Sequence, residues 1–420
     1  MIACLYSGGK DSTLALHKAY MMGIKAELLI TMISKNEYSY MFHRPNVEFS
    51  SMQAKALGIR HLLVMTEGEK EKELDDIKIC LDKPVQSKDK RTLFNNVQLI
   101  NDSLPELDYD EIDISADFLG HKFSAPIMAG AMTGGAELAK KINENIAIAC
   151  EELGLGMAIG SQRAALYDKV LEETYSITRK SAPSIFIGAN IGGAQISKGF
   201  PLEDARKLIE MLDADALYVH LNPAQEIVQP EGEPSYKNVM SGIKEMVESA
   251  GKPVIAKEVG FGISGNVAKK LESIGVSAIE VAGMGGTSYT AVEWYRAKEM
   301  KMHSKEMLGN LLWDWGIPTA ASLYSVKHSV KMPIVSSGGI RTGLDVAKSI
   351  ALGASLCAVA LPLLKPATIS SDAVKEVFEG MIYGLKAAMF ITGCRNIEEL
   401  KHSRYVITGE LKDWISGMSD

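Results

Sequence analysis

The sequence predicts an α/β protein: a (β/α)8 TIM barrel over residues 76–420, preceded by a small, partial doubly wound α/β segment over 1–75. Three observations carry that expectation. Eight nearly continuous apolar runs recur through the larger part, and stretches of helical length separate them. Polar and glycine-rich residues collect at the C-terminal ends of those runs.

The first segment reads strand, loop, helix, strand, helix, strand. MIACLYS (1–7) is a short apolar run that ends in SGGKDS, and the helical TLALHKAYMMG follows. KAELLITMI (25–33) and HLLVMT (61–66) are further strands, with the short helix SSMQAKALG between them. Alternation of this length implies parallel pairing, but three strands make only part of a doubly wound domain. The charged, helix-like EGEKEKELDD (67–76) leads into mixed, polar sequence that lasts to about residue 120.

The eight runs then follow at 124–132, 155–162, 184–191, 214–222, 253–260, 278–286, 333–340 and 355–364. Continuous hydrophobicity of this kind marks strands buried on both faces. The amphipathic LEDARKLIEMLDA, GNVAKKLESIG and GLDVAKSIALGA lie between runs, and eight such units over this length are the pattern of a closed barrel. An open doubly wound sheet is the alternative. From DAVKEVFEGM onward the chain reads as one or two closing helices.

With 46% hydrophobic and 23% charged residues among 420, the composition is that of a globular protein. A net charge of −7 without a basic block makes nucleic acid an unexpected partner. Five dispersed cysteines without a CxxC pair argue against both a disulfide framework and a zinc site. No run is long enough to span a bilayer and the N-terminus does not read as a signal peptide, so a cytoplasmic location is expected.

Barrels of this class bind ligands at the C-terminal ends of their strands. Those ends here carry Ala131-Met132-Thr133-Gly134-Gly135, Ser161-Gln162-Arg163, Asn190, His220-Leu221-Asn222 with Gln225 and Glu226, Lys257, Gly285-Gly286-Thr287, and Gly338-Gly339-Ile340-Arg341. Lys257 within a buried strand is either half of an internal ion pair or a cation facing an electron-rich ring or a phosphate. Gly338-Gly339 before a helix opening at Thr342 offers backbone N–H groups and a positive helix end to a phosphate. His220 and Asn222 share one face of a strand, as a satisfied core pair or as functional groups. Glu226 is a candidate for a hard divalent ion, which needs few protein ligands when a diphosphate supplies the rest; its alternative is a solvated loop carboxylate.

Taken together, AMTGG, GSQRAA, HLNPAQEIVQPEGE, GGTSYTAVE, WDWGIPTAAS and SGGIRTGLDVAKSIALGA resemble the type 2 isopentenyl diphosphate isomerases, in order, over about 76–420. The resemblance implies FMN, Mg²⁺, and NADPH to keep the flavin reduced. It implies a flavin site at Ala131, Met132, Thr133, Ser161, Asn190, Lys257, Thr287, Gly338, Gly339, Arg341, Ala360 and Leu361. Arg163, His220, Asn222 and Gln225 would meet isopentenyl or dimethylallyl diphosphate, with His220, Asn222 and Gln225 in the catalytic group and Glu226 on Mg²⁺. A homo-oligomer, tetrameric or larger, is implied as well.

SGGKDS, that is Ser7, Gly8, Gly9, Lys10, Asp11 and Ser12, is similar to the PP-loop of ATP pyrophosphatases, a possible ATP phosphate loop. FHRPNVEFSSMQAKALGI resembles the diphthine–ammonia ligase group of that superfamily. The remainder of such a ligase does not follow, so weak ATP binding at most is expected. The join, a gene fusion or a chimeric gene, also alters the isomerase pattern. That family carries an Arg-Lys pair and then a His near its N-terminus, where this chain has Lys72-Glu73-Leu74-Asp75-Asp76. Carboxylates there would oppose a diphosphate unless the segment lies elsewhere; Lys88, Lys90 and Arg91 are candidate replacements. The alternatives to an active isomerase are thus a flavin-binding barrel with impaired turnover and, less consistent with the sequence, an ATP-dependent amide ligase.

Overall fold

The computed structural model describes residues 2–6, 10–34, 47–66, 72–88, 91–232 and 234–418. The chain divides into two compact units, Met1–Lys72 and Glu73–Asp420.

The first unit contains strands β1 (Ala3–Leu5), β2 (Leu28–Ser34) and β3 (Arg60–Thr66), parallel and in that order. Helices Lys10–Met21 and Val47–Ala56 connect them. Leu16 and Ala54, one from each helix, are buried with Tyr6 and Leu29 in a single cluster. Both helices therefore cover the same face, and Leu62 on β3 stays exposed. Buried Thr31 is satisfied by donating to the Tyr6 carbonyl and pairing with His61 Nε2, whose Nδ1 meets Ser51 Oγ at 3.0 Å. Of the phosphate-loop residues, Ser7, Gly8 and Gly9 lie outside the described residues, and Lys10, Asp11 and Ser12 open the first helix.

The second unit is the barrel. Of the charged stretch expected to be helical over 67–76, residues 72–76 open the helix Lys72–Asp82, and 67–71 lie outside the described residues. Strand β4 (Val97–Leu99) follows, then a hairpin of β5 (Ala116–Phe118) and β6 (His121–Phe123). Leu119 and Gly120 join the hairpin, both at positive φ (49° and 84°), as the tightest right-twisted turn requires.

The eight apolar runs all become strands: β7 (Ile127–Ala129), β8 (Gly156–Ala158), β9 (Ile187–Gly192), β10 (Ala216–Leu221), β11 (Val254–Glu258), β12 (Ala278–Glu280), β13 (Ile334–Ser336) and β14 (Leu356–Val359). They close into one parallel barrel, with β14 paired to β7.

Inward side chains such as Met128, Tyr218, Ile255, Val335 and Leu356 fill the interior. The hairpin supplies Phe118 and Phe123 to the same cluster, 5.8 and 5.9 Å in ring-centroid distance from Phe186. The opposite side chains of the strands pack under the helical ring in a second, larger core. The tail, expected as one or two helices, holds three, Ser371–Ile391, Ile397–Lys401 and Gly409–Gly417. It also holds strand β15 (Tyr405–Ile407), antiparallel to β4.

Candidate functional site

At the C-terminal ends of the strands the barrel interior changes from apolar to polar. Two residues beyond the inward Tyr218, Ile255 and Ala278 stand His220, Lys257 and Glu280, on the same inner face by the two-residue period of a strand. His220 is the register partner of Lys257, and Lys257 of Glu280. Asn190 on β9 completes the layer, with Oδ1 2.8 Å from His220 Nδ1. Its own amide donates to the Ile159 carbonyl, and Gln162 Oε1 accepts from the Asn190 backbone N–H, so its orientation is fixed from three directions.

The charges in this layer interact. Burial, with the Lys257 ammonium beside it, pushes His220 down to about 3. The neutral ring can then donate from Nδ1 to Asn190, which leaves Nε2 as an acceptor. Lys257 is buried and donates to the Glu258 carbonyl at 2.7 Å. No carboxylate lies within ion-pair distance of it among the described residues, so the direct internal pair considered from sequence is not formed. Glu258 points out of the barrel, where its Oε2 accepts the N–H groups of Val259, Gly260 and Phe261; burial still lifts it to about 7.

Above the layer lies a cavity. Ala131, Met132 and Thr133 line it after β7, Ser161 after β8 and Thr287 after β12, with Ala360 and Leu361 after β14. Asn190, His220, Gln225 and Lys257 complete the predicted set that reaches it. Thr133 Oγ1 is buried without a hydrogen-bond partner, an atom awaiting a ligand.

Gly338 and Gly339 adjoin the cavity without lining it. Both have positive φ (97° and 79°), and a Cβ on Gly339 would lie 2.6 Å from the Gly285 carbonyl. Among the described residues no acceptor meets the N–H groups of Gly338, Gly339 or Ile340. The helix end beyond them is different from the sequence expectation. The helix is Gly343–Ala351 with Thr342 as cap, and Asp345 Oδ2 takes the N–H groups of Arg341 and Thr342. A carboxylate already uses that positive end, so the cradle consists of the glycine N–H groups. These features, an orphaned hydroxyl and a backbone cradle that no side chain could enter, fit a flavin phosphate and ring.

Arg341 is turned to Gln86, 3.0 Å from its Oε1. Arg163 opens the helix Arg163–Tyr167, half-buried and without a carboxylate partner among the described residues. Asn222 and Glu226 sit behind the cavity wall. The Asn222 amide donates to Gln225 Oε1 (3.2 Å) and Glu226 Oε1 (3.1 Å), and Tyr236 donates to Asn222 Oδ1. No cluster of three or more His, Cys, Asp or Glu suited to a metal occurs among the described residues, so Glu226 would need ligands from substrate and water.

Several lining residues were not legible beforehand. Asp76, Ile77 and Cys80 of helix Lys72–Asp82 form part of the cavity wall, so the altered segment lies at the site. Asp76 Oδ1 is 3.6 Å from Arg296 Nε, and Arg296 also binds Glu231 (2.8 Å) and Glu293 (2.7 Å). Burial works against the Arg296 charge, but Glu293, Asp76 and Glu231 outweigh it and hold the guanidinium charged. Glu293 is fully buried, raised by burial and then by Asp76, and accepts from Gln225 Nε2 at 2.9 Å. Of the candidate replacement cations, Lys88 and Arg91 do not line the cavity. Lys88 lies over the Trp313 ring at 3.8 Å, Arg91 is exposed, and Lys90 lies outside the described residues. A charge inside an apolar run had marked Lys257, and the same signal was available for Glu280.

Comparison with known proteins finds two families along the chain. The diphthamide synthase N-terminal domain family matches residues 1–96, and the FMN-dependent dehydrogenase family matches 205–407. A mandelate oxidase variant with an FMN adduct shares the fold with a TM-score of 0.54 at 16% identity, covering 77% of this chain and 94% of that one. A sulfite-bound flavocytochrome b2 variant gives 0.57 at 17%, covering 78% and 81%.

Closer likeness is found in sequence. The isopentenyl-diphosphate delta-isomerase of Methanosarcina barkeri is 45% identical over 338 residues, 80% of this chain and 92% of that protein. That of Methanococcus maripaludis is 46% identical over 349 residues, 82% and 97% of the two chains. That of Archaeoglobus fulgidus is 45% identical over 345 residues, again 82% and 97%. With identity at this level over nearly the whole length of these relatives, the chain belongs to the isopentenyl-diphosphate delta-isomerase family.

Proposed function

We propose that the barrel interconverts isopentenyl and dimethylallyl diphosphates by a 1,3-allylic proton shift at an FMN site, with NADPH as reductant and Mg²⁺ beside the diphosphate. The observation that carries this reading is the register of His220 with Lys257, a neutral imidazole and an ammonium side by side beneath one cavity. An unactivated alkene is a weak base, and its protonation builds tertiary carbocation character. When bound, FMN would supply a reduced, electron-rich ring to stabilise that charge.

The protein's own groups do the rest. Ala131, Met132, Thr133, Ser161, Asn190 and Thr287 would hold the ring and ribityl chain, and Ala360 and Leu361 would help close the phosphate end with Gly338, Gly339 and Arg341. Lys257, which lines the cavity, would favour negative charge on a flavin ring bound there. Arg163 has no carboxylate partner among the described residues and would be available to the diphosphate, while Glu226 would share Mg²⁺ with it. Gln225 is fixed between Asn222 and Glu293, so its amide presents one orientation to the substrate. Ile77 and Cys80 keep bulk water from the alkene.

A second reading retains the cofactor and loses turnover, because Asp76 puts a carboxylate on the cavity wall. Anaerobic incubation with isopentenyl diphosphate, NADPH and Mg²⁺ separates the two. Formation of dimethylallyl diphosphate with solvent-proton exchange is expected; flavin-loaded protein that gives neither overturns the isomerase reading.

A further inference from the structure

Glu280 has no role in the site as described so far, yet its position is unusual. It is fully buried on β12, next in register to Lys257. Oε1 accepts from Ser337 Oγ at 2.7 Å, while Oε2 is buried without a hydrogen-bond partner. Among the described residues Lys257 in turn donates only to the Glu258 carbonyl and has no carboxylate within ion-pair distance. A buried ammonium and a buried carboxyl on adjacent strands are each costly alone and offset one another as a couple.

Both groups act on their neighbours. His220, across the layer, is held neutral by burial and by the Lys257 charge. Tyr218, one turn of the pleat below, is raised by burial and by Glu280. Burial raises Glu280 itself, and Lys257 and the Ser337 hydroxyl pull it back.

We propose that Glu280 is a positioning residue for the flavin: tethered by Ser337, its carboxylate sets how much of the Lys257 charge reaches the ring above, and so sets the flavin reduction potential. This rests on the FMN reading of the cavity. A positive charge near the ring favours the anionic reduced form; a carboxylate beside that charge moderates it.

The test is anaerobic redox titration of FMN-loaded protein against a reference dye. Glu280→Gln keeps the shape and removes the charge. It is expected to move the midpoint potential positive by at least a tenfold change in the reduction equilibrium, about 30 mV for a two-electron couple. Glu280→Asp should stay near wild type. In a Lys257→Met background the Gln substitution should be silent, because without the ammonium the buried carboxyl takes up a proton.

An unchanged potential in Glu280→Gln overturns the proposal, and so does an equal shift with and without Lys257. Should Glu280→Gln not fold, Ser337→Ala leaves the carboxyl in place and is expected to shift the potential in the same direction by less; no shift there overturns the proposal. Wild-type protein that binds no FMN overturns the cofactor reading instead, which keeps the two failures distinct.

Discussion

Asp76 Oδ1 stands 3.6 Å from Arg296 Nε, and both side chains belong to the cluster behind Gln225. The carboxylate that stands where the family resemblance implies a His is therefore not left facing the cavity uncompensated. Arg296 meets three carboxylates, so the cluster still carries excess negative charge unless one of them keeps a proton, and burial with Asp76 beside it pushes Glu293 up to about 8.

Replacing Lys72, Glu73 and Asp76 together by Arg, Lys and His tests what that charge costs the reaction. Arg296 retains Glu231 and Glu293, so the guanidinium stays compensated and the fold should tolerate the change. The KM for isopentenyl diphosphate should fall several-fold at similar flavin content. An unchanged KM would mean that the segment does not act on the diphosphate.

Glu226→Gln removes a carboxylate and keeps its size and its hydrogen bond from Asn222. The Mg²⁺ concentration for half-maximal activity should rise by tenfold or more, with FMN retained. Titrating activity with Mg²⁺ alongside flavin absorbance checks this; loss of the flavin would show that Glu226 serves the cofactor instead.

Gly339→Ala puts a side chain at φ +79° and a Cβ 2.5 Å from Thr92 Cγ2 and 2.6 Å from the Gly285 carbonyl. Strain of that kind costs about 1–3 kcal/mol. FMN affinity should drop at least tenfold, measured by fluorescence quenching on titration of apoprotein. Undiminished affinity would place the phosphate away from this cradle.

His220 gives the stability a pH signature. Its folded pKa, about 3, lies below the ordinary value of 6.5, so the unfolded chain gains a proton first as pH falls. Its contribution is complete above pH 6.5 and is lost between there and about pH 3, at up to about 1.4 kcal/mol per pH unit. Urea unfolding at pH 7, 5.5 and 4.5 should show this slope in wild type and a shallower one in His220→Asn. Identical slopes would mean that the ring is not buried neutral.

The barrel was legible because its strands are buried on both faces, as in β9 and β11, where every residue is buried. The hairpin of β5 and β6 was not, since its strands have three residues each and its turn places Leu119 at positive φ, a residue that gives no turn signal. Site residues on strand ends, such as Asn190, His220 and Lys257, could be found from polarity inside apolar runs. Glu293 and Arg296 could not. They lie three apart on helix Tyr289–Glu299, where such a pair usually means a solvated surface, and only packing against Asp76 and Glu231 makes them part of the site. Asp345 was equally hidden: GGIRTGLD reads as an open anion cradle, and only the capping geometry shows the chain's own carboxylate in the helix end.

The ladder between β4 and β15 has a consequence for biosynthesis. Leu99 pairs with Tyr405, so a strand made before any barrel strand waits for a partner roughly three hundred positions downstream, beyond the last of them. Until then β4 is an open edge. The barrel itself closes between β14 and β7, whereas this separate ladder forms only once β15 has been made, which makes the stretch around β15 the step most exposed to truncation and to chaperone capture.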